Sequence, residues 1–149
     1  MNVLSLFDGM SCGQLALQKI GANVTNYYAS EIDKYAIQVA KENFPNTIHL
    51  GDVTKVNAKD LNINLLIAGS PCQGFSRSGN RLNFDDPRSK LFFEFVRILK
   101  ECKPKYFLLE NVVMNKDSKN IITEYLGVEP IEINSNLVEK LIAKSEGNV

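Results

Sequence analysis

The stretch Leu65-Leu66-Ile67-Ala68 is apolar at every position and stops at Gly69-Ser70-Pro71. A short unbroken apolar run bounded by turn residues reads as a strand buried in a sheet. Cys72 stands just past that break, at the strand end where an open α/β sheet keeps its ligand crevice. Pro71 restricts the backbone there, and Gly74 allows a tight turn. A thiol at the end of a rigid strand, facing solvent, is placed to act as a nucleophile. Burial as a small hydrophobe is the usual fate of a free cysteine. The polar and glycine neighbours Ser70, Gln73 and Gly74 argue against it here.

The rest of the chain alternates strand-like and helix-like stretches. Val3–Phe7 is a short apolar strand, followed by the glycine-rich turn Asp8-Gly9-Met10-Ser11-Cys12-Gly13. Leu15, Ala16, Leu17 and Ile20 recur at helical spacing over Gln14–Ile20, and Gly21 is a good stop. Val24–Ile32 reads as a second strand. Asp33 is expected to cap a helix whose Ala36, Ile37, Ala40 and Phe44 form one apolar face, ended by Pro45. Thr47–Leu50 is a third strand, leading into Gly51-Asp52-Val53. Residues 73–90 are rich in Gly, Ser, Asn, Asp and Arg and read as a long functional loop. A helix over Ser89–Glu101 should bury Leu91, Phe92, Phe95, Val96 and Leu99 and break at Lys103-Pro104. Tyr106–Leu109 is a fifth strand, ending in Glu110-Asn111-Val112. Ser118 is expected to cap a helix holding Ile121, Ile122, Tyr125 and Leu126, stopped by Gly127. Val128–Ser135 alternates like a sixth strand. This order predicts an α/β fold, a doubly wound and mostly parallel sheet covered on both faces.

At 149 residues the chain is one domain by length and large enough for a real core. Hydrophobic residues at 44% against charged residues at 23% argue for folding rather than disorder. Lys plus Arg balances Asp plus Glu at 17 each, which counts against a free-standing nucleic-acid binder, since such chains are usually basic. Cys12, Cys72 and Cys102 show no paired spacing and His49 is the sole histidine. No metal site or disulfide framework is therefore expected, and a reducing, cytoplasmic location fits. The amino terminus does not read as a signal peptide, and no apolar stretch is long enough to cross a membrane.

The polar residues at the strand ends can be read together, because in such a sheet they gather on one edge. The first turn is not G-x-G-x-x-G, the pattern that lets backbone approach a pyrophosphate. Glu31, at the end of the second strand, is suited to grip ribose hydroxyls. Asp52 can accept a hydrogen bond from an amino group such as that of adenine. Phe7 and Ile32 can sandwich a flat base. The set suggests an adenosine ligand without a pyrophosphate, with S-adenosylmethionine the obvious candidate. Read singly, Glu31 and Asp52 are equally caps or solvated turn residues, and Phe7 is core. Cys72 and Glu110 end strands that should be neighbours, about 4.8 Å apart. A thiolate beside a partly buried carboxylic acid suits nucleophilic attack on an electron-poor ring. The plainer role for Glu110 is an ion pair with Lys105 or Lys116.

Taken together these segments resemble the DNA cytosine-5 methyltransferase family. Phe7-Asp8-Gly9-Met10-Ser11-Cys12-Gly13 is similar to its first cofactor motif, Glu31-Ile32-Asp33 to its second and Gly51-Asp52-Val53 to its third. Gly69-Ser70-Pro71-Cys72-Gln73-Gly74-Phe75-Ser76 resembles the highly specific nucleophile motif. Asp86-Pro87-Arg88-Ser89-Lys90-Leu91 resembles the helix-start motif after it, and Glu110-Asn111-Val112 the glutamate motif. The resemblance covers residues 3 to about 135 and implies the methyltransferase form of the Rossmann-like fold. It implies S-adenosylmethionine held by Phe7, Asp8, Gly9, Met10, Cys12, Gly13, Glu31, Ile32, Asp52, Val53, Pro71 and Leu91. It implies Cys72 and Glu110 as the catalytic pair on a cytosine flipped out of duplex DNA, with Ser76, Arg77 and Arg81 near phosphates. In a plain solvated loop those two arginines would touch nothing.

The chain departs from the family pattern at its carboxyl end. Asn136-Leu137-Val138 runs into a divergent tail over residues 136–149, with no Gln-x-Arg-x-Arg and no target-recognition region. Residues 1–135 are thus expected to be a carboxyl-terminally truncated methyltransferase domain lacking a central strand. Its apolar sheet edges should favour self-association or a completing chain. Acting alone the chain should be inactive on duplex DNA. The alternatives are a non-catalytic module that keeps the cofactor pocket for interaction or regulation, and a minimal methyltransferase acting alone on a substrate such as RNA, which the truncation disfavours.

Overall fold

The computed structural model describes residues 1–69, 87–111 and 116–133. The chain divides after Asn115 into two compact units. The first is built on a five-stranded sheet: β1 (Asn2–Leu6), β2 (Asn26–Ser30), β3 (Ile48–His49), β4 (Leu65–Gly69) and β5 (Tyr106–Glu110). Their order is β3-β2-β1-β4-β5 and every pair is parallel. β1 is central and flanked on both sides, which is why Val3, Leu4, Ser5 and Leu6 are all buried rather than alternating. Winding outward from β1 in both directions puts the switch point between β1 and β4. Crevices of such sheets open there, at the carboxyl ends of the strands.

The described residues of this unit also form α1 (Cys12–Lys19), α2 (Lys34–Asn43) and α3 (Pro87–Cys102). Asp33 caps α2 as expected, its carboxylate accepting from Tyr35 N at 2.8 Å and Ala36 N at 2.9 Å. α3 begins at Pro87 rather than Ser89, using proline's fixed φ in the first turn. It buries Phe92, Phe95, Val96 and Ile98. Phe95 packs against Phe107 of β5 with ring centres 6.2 Å apart.

α1 differs from its apolar pattern. Leu17 is buried, but Leu15 and Ile20 are exposed. The face turned inward is Gly13, Gln14 and Leu17. Gly13 lies close to Tyr27 and Ile67, and Gln14 Oε1 accepts from Thr47 Oγ1 at 2.8 Å. A glycine and a glutamine carry no hydrophobic signal, so the pattern misses them.

β5 lies at an edge of the described sheet. One side of it, Tyr106 and Leu108, is 60% and 57% exposed. The second unit contributes α4 (Lys116–Leu126), whose Lys119 pairs with Glu132 beyond the helix end at 3.5 Å. Two expectations fail there. Ser118 lies inside α4, so it is not the cap. Residues 128–133 form no strand, and Val128, Ile131 and Ile133 are exposed. Pro130 has no N–H to offer a ladder, and alternation alone does not provide a partner strand. Residues 134–135 and the tail at 136–149 lie outside the described residues. Among the described residues no helix is long and apolar enough to cross a membrane.

Candidate active site

The ends of the first three strands are stitched together by backbone groups. Asp8 N donates to Ser30 O at 3.1 Å, and Leu50 N donates to Ala29 O at 2.8 Å. Ser30 Oγ, buried, donates to Gly51 O at 2.7 Å. These bonds bring Phe7–Gly9, Glu31–Asp33 and Gly51–Val53 to one edge of the sheet.

Glu31 is the hub of that edge. Its Oε2 accepts from Gly9 N at 2.8 Å, and its Oε1 accepts from Ile32 N at 2.8 Å and Asp33 N at 2.9 Å. An ionised carboxylate has about four lone-pair positions, so one on Oε2 stays open. Asp52 Oδ1 accepts from Thr54 N and Thr54 Oγ1, each at 2.9 Å, closing a 3-10 turn over Val53–Lys55. The Thr54 backbone N–H, then its hydroxyl, hold the Asp52 carboxyl below the usual carboxylate range. Asp52 Oδ2 takes no hydrogen bond from a described residue. Ile32 is 76% exposed beside Glu31. An open acceptor on Glu31, a second on Asp52 and an exposed apolar surface fit an adenosyl group: a ribose hydroxyl, an exocyclic amine and a flat ring.

The other expected cofactor residues divide by position. Phe7 is half-buried and has φ 56°, a left-handed conformation in which a bulky side chain is strained by about 1–3 kcal/mol. Asp8 turns inward, where its Oδ1 accepts from Tyr27 Oη at 2.8 Å and its Oδ2 from Ser11 Oγ. Burial, followed by the Asp8 charge, pushes the Tyr27 phenol up, so it stays a proton donor. Met10 and Cys12 are exposed, Val53 is buried and Leu91 is half-buried on α3. Pro71 lies outside the described residues.

Glu110 ends β5 level with Gly69 of β4. Its Oε2 lies 3.7 Å from where a Cβ on Gly69 would stand, so the carboxylate leans over the end of the neighbouring strand. Lys105 makes no ion pair with it and lies over the Tyr106 ring instead, at 5.2 Å. Cys72 follows Gly69 by three positions and, like Ser76, Arg77 and Arg81, lies outside the described residues. Among the described residues no group of His, Cys, Asp and Glu is arranged to hold a metal ion.

Sequence reasoning missed Tyr27, Ser11 and Arg97. Asp8 and Ser11 are spaced as a hydrogen-bonded turn, and Arg97 has Glu94 and Glu101 at helical spacing. Both signals were present in the sequence. Nothing local marks Tyr27.

The sequence profile of the C-5 cytosine-specific DNA methylases matches residues 1–127. The chain is 42% identical over 127 residues to the orphan methyltransferase M.SPRI of Bacillus phage SPR, covering 82% of this chain and 29% of that protein. It is 46% identical over 111 residues to the type II methyltransferase M1.ScrFI of Lactococcus lactis subsp. cremoris, covering 74% and 28%. The chain thus spans under a third of these relatives' length. Among solved structures, that of Schizosaccharomyces pombe Dnmt2 methyltransferase superposes with a TM-score of 0.66 at 27% identity, covering 85% of this chain and 41% of that one. A Spodoptera frugiperda DNMT2 mutant gives 0.65 at 28%, covering 85% and 39%. Parallel strands wound outward from β1, an acidic residue after each of β2 and β3, a carboxylate at the end of β5 and this match across most of the chain agree: the protein belongs to the C-5 cytosine-specific DNA methylase family.

Proposed function

We propose that this chain supplies the cofactor-binding and nucleophile-bearing part of a DNA (cytosine-5)-methyltransferase. The observation that supports this reading is the register of β4 with β5. Gly69 is level with Glu110, and the Glu110 carboxylate leans over the strand end that leads to Cys72. Family membership makes cytosine the substrate to test first.

In this reading S-adenosylmethionine, when bound, supplies an electrophilic methyl group on a sulfonium. Glu31 would hold its ribose, Asp52 its adenine amine and Ile32 the ring face. Cys72 adds through Sγ to carbon 6 of an extruded cytosine, which makes carbon 5 nucleophilic. A proton carried on Glu110 would pass to ring nitrogen 3, neutralising the negative charge that the thiolate brings into the ring, while the other Glu110 oxygen accepts from the exocyclic amine. Carbon 5 would take the methyl group, and loss of its proton to a base then expels the Cys72 thiolate and restores the ring. Ser76, Arg77 and Arg81 would contact the DNA backbone.

Extruding the base costs a few kcal/mol, which protein–DNA contacts must offset. The relatives carry more than twice as much further sequence as this chain matches, and we assign those contacts to sequence of that kind. The test is transfer of labelled methyl from S-adenosylmethionine to mixed-sequence duplex DNA. The 149-residue chain should be silent alone. It should become active with a partner carrying the rest of a relative's sequence, and Cys72→Ser should silence it again. Robust turnover by the chain alone would remove the need for a completing chain. Turnover that survives Cys72→Ser would remove the covalent mechanism.

A further inference from the structure

Between β3 and β4 the chain runs through residues 50–64 with no regular element beyond the turn at Val53–Lys55. Asp52 stands near the start of this segment. A carboxylate on an irregular segment needs other groups to fix where it points. The carbonyls on either side of Asp52 are both held. Ser30 Oγ donates to Gly51 O at 2.7 Å. Arg97, on α3, donates from one guanidinium nitrogen to Val53 O and from the other to Val56 O, both at 3.0 Å.

The guanidinium is itself held. Arg97 Nε donates to Glu94 Oε2 and its Nη1 to Glu101 Oε1, each at 2.7 Å. Glu101 Oε2 in turn accepts from Ala58 N at 3.4 Å. The planar fork thus spans two carbonyls of one turn while two carboxylates fix its plane. An ammonium group cannot reproduce that geometry. Val53, Val56 and Ala58 are buried.

We propose that Arg97 is a positioning residue for adenine recognition: by holding Val53 O and Val56 O it aims the Asp52 carboxylate at the exocyclic amine of the cofactor. This rests on the reading of the site as an S-adenosylmethionine pocket. Arg97 itself touches no ligand; it acts through the turn.

The test compares two probes by titration calorimetry on the 149-residue chain: S-adenosylhomocysteine and its hypoxanthine counterpart, S-inosylhomocysteine. Hypoxanthine replaces the amine with a carbonyl, which Asp52 cannot accept from. The wild type should prefer the adenine compound by about tenfold or more, as expected for a lost hydrogen bond to a charged group. Arg97→Met should cut that preference to about threefold or less, and Arg97→Lys should fall between. Arg97→Lys carries the test if Arg97→Met does not fold. A variant that binds both compounds more weakly but with the wild-type preference overturns the proposal, because Arg97 would then act on stability alone. A wild type that binds neither compound overturns the cofactor reading itself.

Discussion

Replacing Gly13 with alanine sets helix propensity against packing. Alanine in a helix interior is worth about 1 kcal/mol over glycine, and Gly13 sits in the first turn of α1, so the gain is at most that. A methyl group there would lie 3.2 Å from Tyr27 Oη and 3.5 Å from Ile67 Cδ1. Tyr27 has little room to yield. It is 3% exposed, and its hydroxyl is tied to Asp8 Oδ1 at 2.8 Å. Overpacking a tight site costs about 1–3 kcal/mol. The expected net effect of Gly13→Ala is therefore a loss of about 1 kcal/mol, or roughly 2–4 °C in Tm for a chain of this size. Tyr27→Phe removes the obstructing oxygen. In that background Gly13→Ala should be neutral, or stabilising by up to about 1 kcal/mol. Urea unfolding of both single variants and the double variant then gives a coupling energy of about 1–2 kcal/mol. An alanine effect of the same size in both backgrounds would refute the claim that the Tyr27 hydroxyl fixes how closely α1 approaches the sheet.

Four further outcomes follow from the same geometry. The backbone N–H of Ala36, then that of Tyr35, lowers the Asp33 carboxyl, and Thr54 lowers that of Asp52. Depressed carboxyl values stabilise the fold above about pH 4 and lose that effect as pH falls through the folded-state pKa. Asp33→Asn keeps the cap but removes its titration, so its Tm should vary less with pH below about pH 4, and an unchanged acid slope would count against the cap. Burial pushes the Cys102 thiol up to about 11, so iodoacetamide at mild alkaline pH should label exposed Cys12 well before Cys102, as read by peptide mass. S-adenosylhomocysteine should bind the chain weakly and lose about tenfold or more with Glu31→Ala; tight binding indifferent to that change would misplace the site. Tyr106 and Leu108, exposed on the edge strand β5, should drive association detectable by light scattering, and Leu108→Lys should reduce it; a monodisperse wild type would argue otherwise.

What the sequence disclosed depended on whether the cause was local. Leu65–Gly69 lies between β1 and β5 with Leu66 and Ala68 buried and Leu65 and Ile67 half-buried, and that placement is written into consecutive apolar residues. Asp33 caps α2 because a carboxylate two and three residues before free N–H groups has a ready partner, again within one turn. Glu31 was legible as a strand-end acid, but not as the residue that joins two turns through Gly9 N, because that bond spans distant segments. The misread strand after α4 shows the same limit from the other side. Residues 128–133 alternate in sequence, yet a strand exists only when another strand accepts its hydrogen bonds, and Pro130 already withholds one donor. Arg97 is the sharpest instance. Its pairs with Glu94 and Glu101 are spaced as any solvated helix face would be. Its bonds to Val53 O and Val56 O, which give those pairs their purpose, join it to residues more than forty positions away. A charge cluster on a helix therefore reads as surface until the fold brings backbone carbonyls to it. Here it does so within one residue of the acid expected to recognise adenine.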